Sequence, residues 1–165
     1  MSAYSDAIEF YLKRLCDEAI EALEGMPEED LASWRPGQAH GEISTMYGMA
    51  THIAGAGEFW VLEAAGGREL NRNRPAEFAA SGSIADLRAR YRQWLADVHG
   101  VIAGLSEEAL GAIFRREPNP SQGISGGEWT VANCIVHAME HTAVHVGHLQ
   151  IQRQLWDQEQ LDRSG

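Results

Sequence analysis

Four of the seven histidines of this chain, His137, His141, His145 and His148, lie in the stretch from Trp129 to Trp156. No proline interrupts that stretch, and its apolar residues recur at the three- and four-residue spacing of a helix. At about 100° per residue, side chains four apart stand one turn above each other. His137, His141 and His145 therefore form a ladder, with His148 inside the same arc. Imidazoles at i and i+4 can aim ring nitrogens at one cation. Three protein ligands with a further position open is the arrangement of a catalytic zinc site. Imidazole also serves nickel, iron and copper, so ligand type alone leaves the metal open.

Val131, Cys134, Ala138, Leu149 and Trp156 place the buried face of this helix nearer His141 and His145 than His137. A third ligand must come from another helix. His52 is the one histidine inside the second helical segment, at the edge of an apolar stripe, whereas His40 and His99 lie in or near connections. A divalent metal ion is thus expected on His52, His141 and His145, with His137 and His148 as hydrogen-bonding or boundary neighbours. The competing reading is a purely structural interior, because a histidine on an apolar face is ordinarily a hydrogen-bonded core residue. Cys134 reads as a buried thiol before a soft ligand. Trp60, Trp129 and Trp156 read as core anchors before stacking rings.

Four long helices must position these groups. Residues 3–24 carry Ile8, Tyr11, Leu12, Leu15, Ala19, Ile20 and Leu23 at helical spacing and stop at Gly25 and Pro27. Residues 26–41 read as a connection, with Leu31 and Trp34 tucked inward. A second helix is expected from Glu42 or Ser44 to Ala65, ended by Gly66-Gly67. Its Gly48, Gly55 and Gly57 each cost roughly 1 kcal/mol relative to alanine, so they imply either close approach of a neighbour or room for a ligand. Residues 68–82 read as a long exposed connection. A third helix spans residues 83–104 with Ser83 as N-cap. A short helical piece at residues 106–114 and a Pro- and Gly-containing loop at residues 115–128 lead into the histidine helix. No strand is expected. The fold class is all-α, a four-helix bundle with a long crossover connection, in one domain spanning residues 1–165.

A formal net charge of −11 argues against nucleic acid and against an anionic membrane surface as partners. No segment approaches the ~18 consecutive apolar residues of a membrane span. The N-terminal residues lack the pattern of a signal peptide. Cys16 and Cys134 are far apart and without metal-finger spacing, as befits reduced core residues. Together these features lead us to expect a cytoplasmic protein.

The residues then resemble a known family. Trp129-Thr130-Val131 followed by His141-Thr142-Ala143-Val144-His145-Val146-Gly147-His148 is similar to the last helix of the DinB-like (DinB/YfiT-like) superfamily. His52-Ile53-Ala54-Gly55-Ala56-Gly57-Glu58-Phe59-Trp60 resembles that superfamily's first-ligand helix, and Trp34-Arg35-Pro36-Gly37 its entry. The superfamily includes the metal-binding domain of mycothiol-dependent maleylpyruvate isomerase and related bacterial thiol transferases. The resemblance implies a four-helix bundle holding one divalent metal, commonly zinc or nickel, through three side chains. Matched residue by residue, the first ligand falls on His52 and the pair on His141 and His145. Some relatives carry glutamate at the position of His141, so the set here is all-nitrogen. The sequence ends soon after the metal helix, so the additional C-terminal domain of some isomerase relatives is not expected.

The expected function is metal-dependent transfer of a low-molecular-weight thiol, such as mycothiol or bacillithiol, to an electrophilic small molecule. The alternatives are metal-dependent hydrolysis and a non-catalytic metal-binding or stress-response bundle. Glu58, Glu63 and Arg153 are weak catalytic candidates, each read first as a surface charge or ion pair. Val136, Val144 and Ile151 lie away from the site stripe, which suggests cover by neighbouring helices or a homodimer.

Overall fold

Amphipathic stripes bury themselves best against other helices, and four long helices do so here. The structure, a computed structural model, describes residues 3–37, 43–122 and 124–165. His40 and the earliest expected start of the second helix, Glu42, lie outside the described residues. Along the chain come α1 (Ala3–Glu21), α2 (Glu28–Ser33), α3 (Met46–Glu58) and its π-helical continuation (Phe59–Ala65). Then follow α4 (Arg74–Phe78), α5 (Ile84–Ile102), α6 (Glu107–Gly111), β1 (Ile113–Arg116), β2 (Gly127–Thr130) and α7 (Val131–Ser164). The protein is mostly helical. Among the described residues, no helix is long and apolar enough to cross a membrane.

The long helices pack in a ring: α1 against α5 and α7, and α3 against the same two. The segments joining α1 to α3 and α5 to α7 therefore run between helices that are not principal neighbours, whereas α3 leads to its neighbour α5. Thr45 caps α3 by accepting a hydrogen bond from the Gly48 amide, which sets its start beyond both expected residues. From Met46 to Gly57 every residue of α3 except Met49 is buried. A helix apolar on all sides belongs at the centre of the packing, so any polar side chain on it must find a partner inside.

Three expectations change. The loop expected at residues 115–128 contains most of a hairpin, with Phe114 paired to Trp129 and Arg115 to Glu128 across antiparallel strands. Four-residue strands are too short to show alternation, and the prolines and glycines between them dominate the pattern. Trp129 and Thr130 belong to β2, and Thr130 caps α7 through the Asn133 amide. The connections are also less bare than expected, since each of the first two carries a short helix, α2 or α4. In the latter, Asn73 caps and Pro75 occupies the first turn, a start signal hidden in a polar segment.

The glycines of α3 are resolved in favour of close approach. A Cβ on Gly57 would run into the indole of Trp94 on α5, one on Gly55 into the carboxylate of Glu77, and one on Gly48 against the Phe78 carbonyl. Gly57→Ala should therefore destabilise the protein by about 1–3 kcal/mol through overpacking, despite the ~1 kcal/mol gain in helix propensity. The urea midpoint measures this directly. An unchanged or raised midpoint would mean that α3 and α5 leave space at that position.

Candidate metal centre

His52 comes from the buried α3, while His141 and His145 stand one turn apart on α7, which packs against it. The three ring centroids lie 5.0 Å (His52–His141), 5.1 Å (His52–His145) and 4.4 Å (His141–His145) apart. Each ring offers a nitrogen within 4.8 Å of the other two. Two nitrogens sharing a tetrahedral ion at ~2.0–2.1 Å stand roughly 3.3–3.4 Å apart, so the rings would draw closer around an ion. His52 is 3% exposed. The structure thus assembles the three histidines expected from sequence into a group that could hold a divalent metal ion.

What orients these rings decides whether they can ligate. His52 Nδ1 lies 2.7 Å from Glu77 Oε2. Arg72 grips the same carboxylate with two hydrogen bonds, Nε to Oε1 at 2.7 Å and Nη2 to Oε2 at 2.9 Å. Burial would raise the Glu77 pKa, but the hydrogen bonds from His52 and Arg72 outweigh it and hold the carboxyl below its usual range. An ionised carboxylate only accepts, so His52 donates from Nδ1, and Nε2 is the ring nitrogen left for a further partner. His145 Nδ1 is 3.2 Å from His148 Nδ1; with His145 as donor, its Nε2 is free as well. His141 Nδ1 is buried and has no hydrogen-bond partner. A buried orphan nitrogen beside two oriented rings is what a cation would satisfy.

The electrostatics favour neutral rings. Burial first, then the nearby His145, His52 and His137 and the charge of Arg72, push the His141 pKa down to about 3. Burial, followed by His52, His148 and Arg74, lowers His145 to about 4. Both are unprotonated at neutral pH, the form that binds metal. Arginines surround the aromatic shell of the group. Arg116 lies 4.1 Å and Arg72 5.6 Å from the Phe59 ring centre. Arg74 lies 5.2 Å from that of Phe78, which itself tilts onto His52 at 4.4 Å. Among the described residues, Arg74 and Arg116 have no carboxylate within salt-bridge distance, in a chain of net charge −11.

The remaining sequence candidates have other employment. His137 packs edge-on against Trp60 at 4.6 Å, and His99 contacts Glu9. Glu58 is bound by Arg90 through two hydrogen bonds, and Glu63 accepts from the Leu70 amide. Arg153 donates to Asp157 and to the carbonyls of Ala22 and Glu24, tying α7 to the end of α1. Cys16 and Cys134 are free and buried, and burial pushes the Cys134 thiol up to about 11. Trp60 and Trp156 are buried anchors, the latter donating to Asp30. Ile151, expected away from the site stripe, instead lines a cavity beside His145 and His148. Glu77 and Arg72 were not legible as site residues, because the polar segment carrying them reads as exposed.

Two measurements test this geometry. In metal-free protein the folded state holds His141 and His145 neutral, while the unfolded chain takes up protons near the ordinary 6.5. The unfolded state binds more protons there, so stability must fall as the pH drops. The loss begins near 6.5 and runs on to about 4 for His145 and about 3 for His141; Glu77 adds to it only below its ordinary 4.5. Denaturation midpoints of the metal-free chain should therefore decline from pH 7 to 4, with a shallower decline in His141→Leu/His145→Leu. Equal slopes for the two proteins would contradict the burial of this pair. Separately, Glu77→Gln should weaken zinc binding roughly 10- to 100-fold, as loss of a histidine's outer partner does, read by chelator competition. Unaltered affinity in a folded variant would show that His52 is oriented without Glu77.

The mycothiol-S-transferase family matches residues 7–158 of the chain. No curated protein matches it significantly. Among solved structures, an uncharacterized protein from Clostridium difficile 630 shares the fold with TM-score 0.59, 13% identity, and coverage of 96% of this chain and 98% of that one. The match over nearly the whole length, on the helices that bring His52, His141 and His145 together, places the chain: it belongs to the mycothiol-S-transferase family of the DinB-like superfamily.

Proposed function

We propose that this protein is a thiol transferase that holds one divalent metal ion, zinc or nickel, on His52, His141 and His145, in a single four-helix-bundle domain. The observation that carries this reading is the convergence of three ring nitrogens within 4.8 Å of one another from two helices. Family membership supports a low-molecular-weight thiol, mycothiol first, as co-substrate, with bacillithiol as the alternative thiol. A divalent ion in this position supplies Lewis acidity, which lowers the pKa of a thiol so that it reacts as thiolate.

The chain's own residues do the rest. Glu77 and Arg72 fix the tautomer of His52, and His148 does so for His145. Arg74, whose charge acts on His145, adds positive charge nearby, which favours an anionic sulfur over a neutral thiol. The net reaction adds the thiol across the acceptor: the S–H bond and a π or strained-ring bond at the electrophilic carbon break, a C–S bond forms, and the thiol proton passes through solvent to the acceptor atom that keeps the electron pair.

Elemental analysis of protein purified without a histidine tag should find about one metal per chain, lost in His52→Ala, His141→Ala and His145→Ala variants that keep their helix content. Metal-dependent conjugation of mycothiol, bacillithiol or glutathione to an electrophile panel should vanish with the metal. Metal bound without turnover on any pair would favour a non-catalytic binder, and protein that stays metal-free in excess zinc or nickel would remove the site. Val136, Val144 and Leu161 are exposed large apolar residues on α7, which supports a homodimer. Sedimentation equilibrium should give twice the chain mass, and a monomer at micromolar concentration would exclude that contact.

A further inference from the structure

Resting on the transfer reading, we propose that Arg74 and Arg116 bind a carboxylate carried by the electrophilic acceptor, where α4 meets the β1–β2 hairpin beside the histidine group. Most arginines of this acidic chain reach a carboxylate. Among the described residues, Arg35, Arg74, Arg92 and Arg116 do not. Of these, Arg35 and Arg92 are exposed, whereas Arg74 and Arg116 are half-buried. Arg116 forms no side-chain hydrogen bond among the described residues. Two rings hold it instead, its guanidinium carbon lying 4.1 Å from the Phe59 ring centre and 5.7 Å from that of Trp60. Arg74 uses one donor, Nη1 to the Gln122 carbonyl at 3.1 Å. That bond ties α4 to the turn of the hairpin whose first strand carries Arg116.

Half-buried guanidinium groups without an anion disfavour one another. Burial first, then Arg72 and more weakly Arg74, hold the Arg116 pKa below its ordinary range, with Glu63 opposing. Glu63 forms no salt bridge with Arg116 and accepts from the Leu70 amide, and Arg72 is matched by Glu77. A carboxylate presents two coplanar oxygens to a guanidinium fork and would offset the repulsion between the two unmatched groups. The position suits the reaction as well. The Phe78 ring contacts Arg74 and His52, and belongs to the apolar wall beside His145. The Trp60 ring contacts Arg116 and His137. An acceptor with an apolar body and one carboxylate is thereby held one aromatic ring away from the histidines. Mycothiol has no carboxylate, so it leaves the two arginines to the acceptor.

The test uses unreactive probes on zinc-loaded protein without thiol, so it reads binding apart from turnover. Isothermal titration should show 4-propanamidobenzoate binding roughly 10-fold tighter than the neutral 4-propanamidobenzamide, the worth of a charge-assisted hydrogen bond. That preference should shrink as salt is raised. Arg116→Gln should lower it and Arg74→Gln/Arg116→Gln should abolish it, at unchanged zinc content and helicity. Arg116→Lys, which keeps the charge and loses the fork, should retain part of it. Equal affinity for the two probes in the wild type overturns the proposal, whatever the variants do. A preference that survives in the folded double variant means that zinc takes the carboxylate, and overturns it too. In transfer from mycothiol, Arg116→Gln should lower the ratio of kcat/KM for 4-acrylamidobenzoate to that for 4-acrylamidobenzamide. If Arg116→Gln instead raises the KM for bacillithiol, which carries carboxylates, and leaves that ratio in place, the arginines serve the thiol and the proposal fails. Absence of all thiol transfer with the probe pattern intact refutes the transfer reading and leaves the carboxylate site standing.

Discussion

The hydrogen bond between His52 and Glu77 is the constraint on which the rest of the site depends. A histidine at the centre of a buried helix needs a partner inside the protein, and a carboxylate brought in to serve it needs one of its own. Arg72 meets the second need with two hydrogen bonds, so the whole relay is matched. Each step has a local cause. Gly55 lacks the Cβ that would strike the Glu77 carboxylate, which lets α4 lie against α3. Asn73 and Pro75 start α4 where Glu77 faces inward. Removing one member of such a buried relay leaves the others exposed to low dielectric without compensation, a loss of roughly 3–5 kcal/mol for a buried ion pair. The site is therefore bound up with the packing of its own helix.

The same arrangement resolves an electrostatic conflict. Arg72 and Arg74 help to hold His141 and His145 neutral, because a third or fourth positive charge in that small volume is unfavourable. A divalent ion would meet the same field. The Glu77 carboxylate answers it through His52, since a ring hydrogen-bonded to an anion is a stronger donor to a cation. The charge of Arg74, which acts on His145, then favours whatever negative charge approaches the group.

How much of this was legible in the sequence follows from the physics of each feature. The histidine ladder and His52 could be read because helical periodicity converts sequence spacing directly into a shared face. Ser83 could be read as a cap for the same local reason, and it accepts the expected hydrogen bond from the Asp86 amide. Glu77 could not. Its role depends on a contact across 25 residues of sequence, and nothing in a run of arginines, asparagines and one proline says that a single glutamate turns inward. A buried histidine does announce that an acceptor must exist somewhere, which is the one signal that pointed beyond the ladder. The hairpin escaped because four-residue strands carry no usable period. The glycines of α3 were ambiguous in sequence, since absent side chains look alike whether a neighbour or a ligand takes the space.

The surroundings of the three histidines combine charge with apolar area. Arg74 stacks over Phe78, the ring that tilts onto His52. Beyond His145 and His148 lies an apolar wall to which Phe78 also belongs. A site for one small polar substrate would have no use for that combination. A reaction between a hydrophilic thiol and a less polar electrophile does, because each reagent must be drawn from water by a different force and both must meet at one centre. In the proposed transfer, charge would draw the thiolate and burial of apolar area would draw the acceptor. Along α7, His137 packs against Trp60, while His145 and His148 line the apolar space. Charge and apolar area beside one histidine group are what the proposed transfer, with its two unlike reagents, would require.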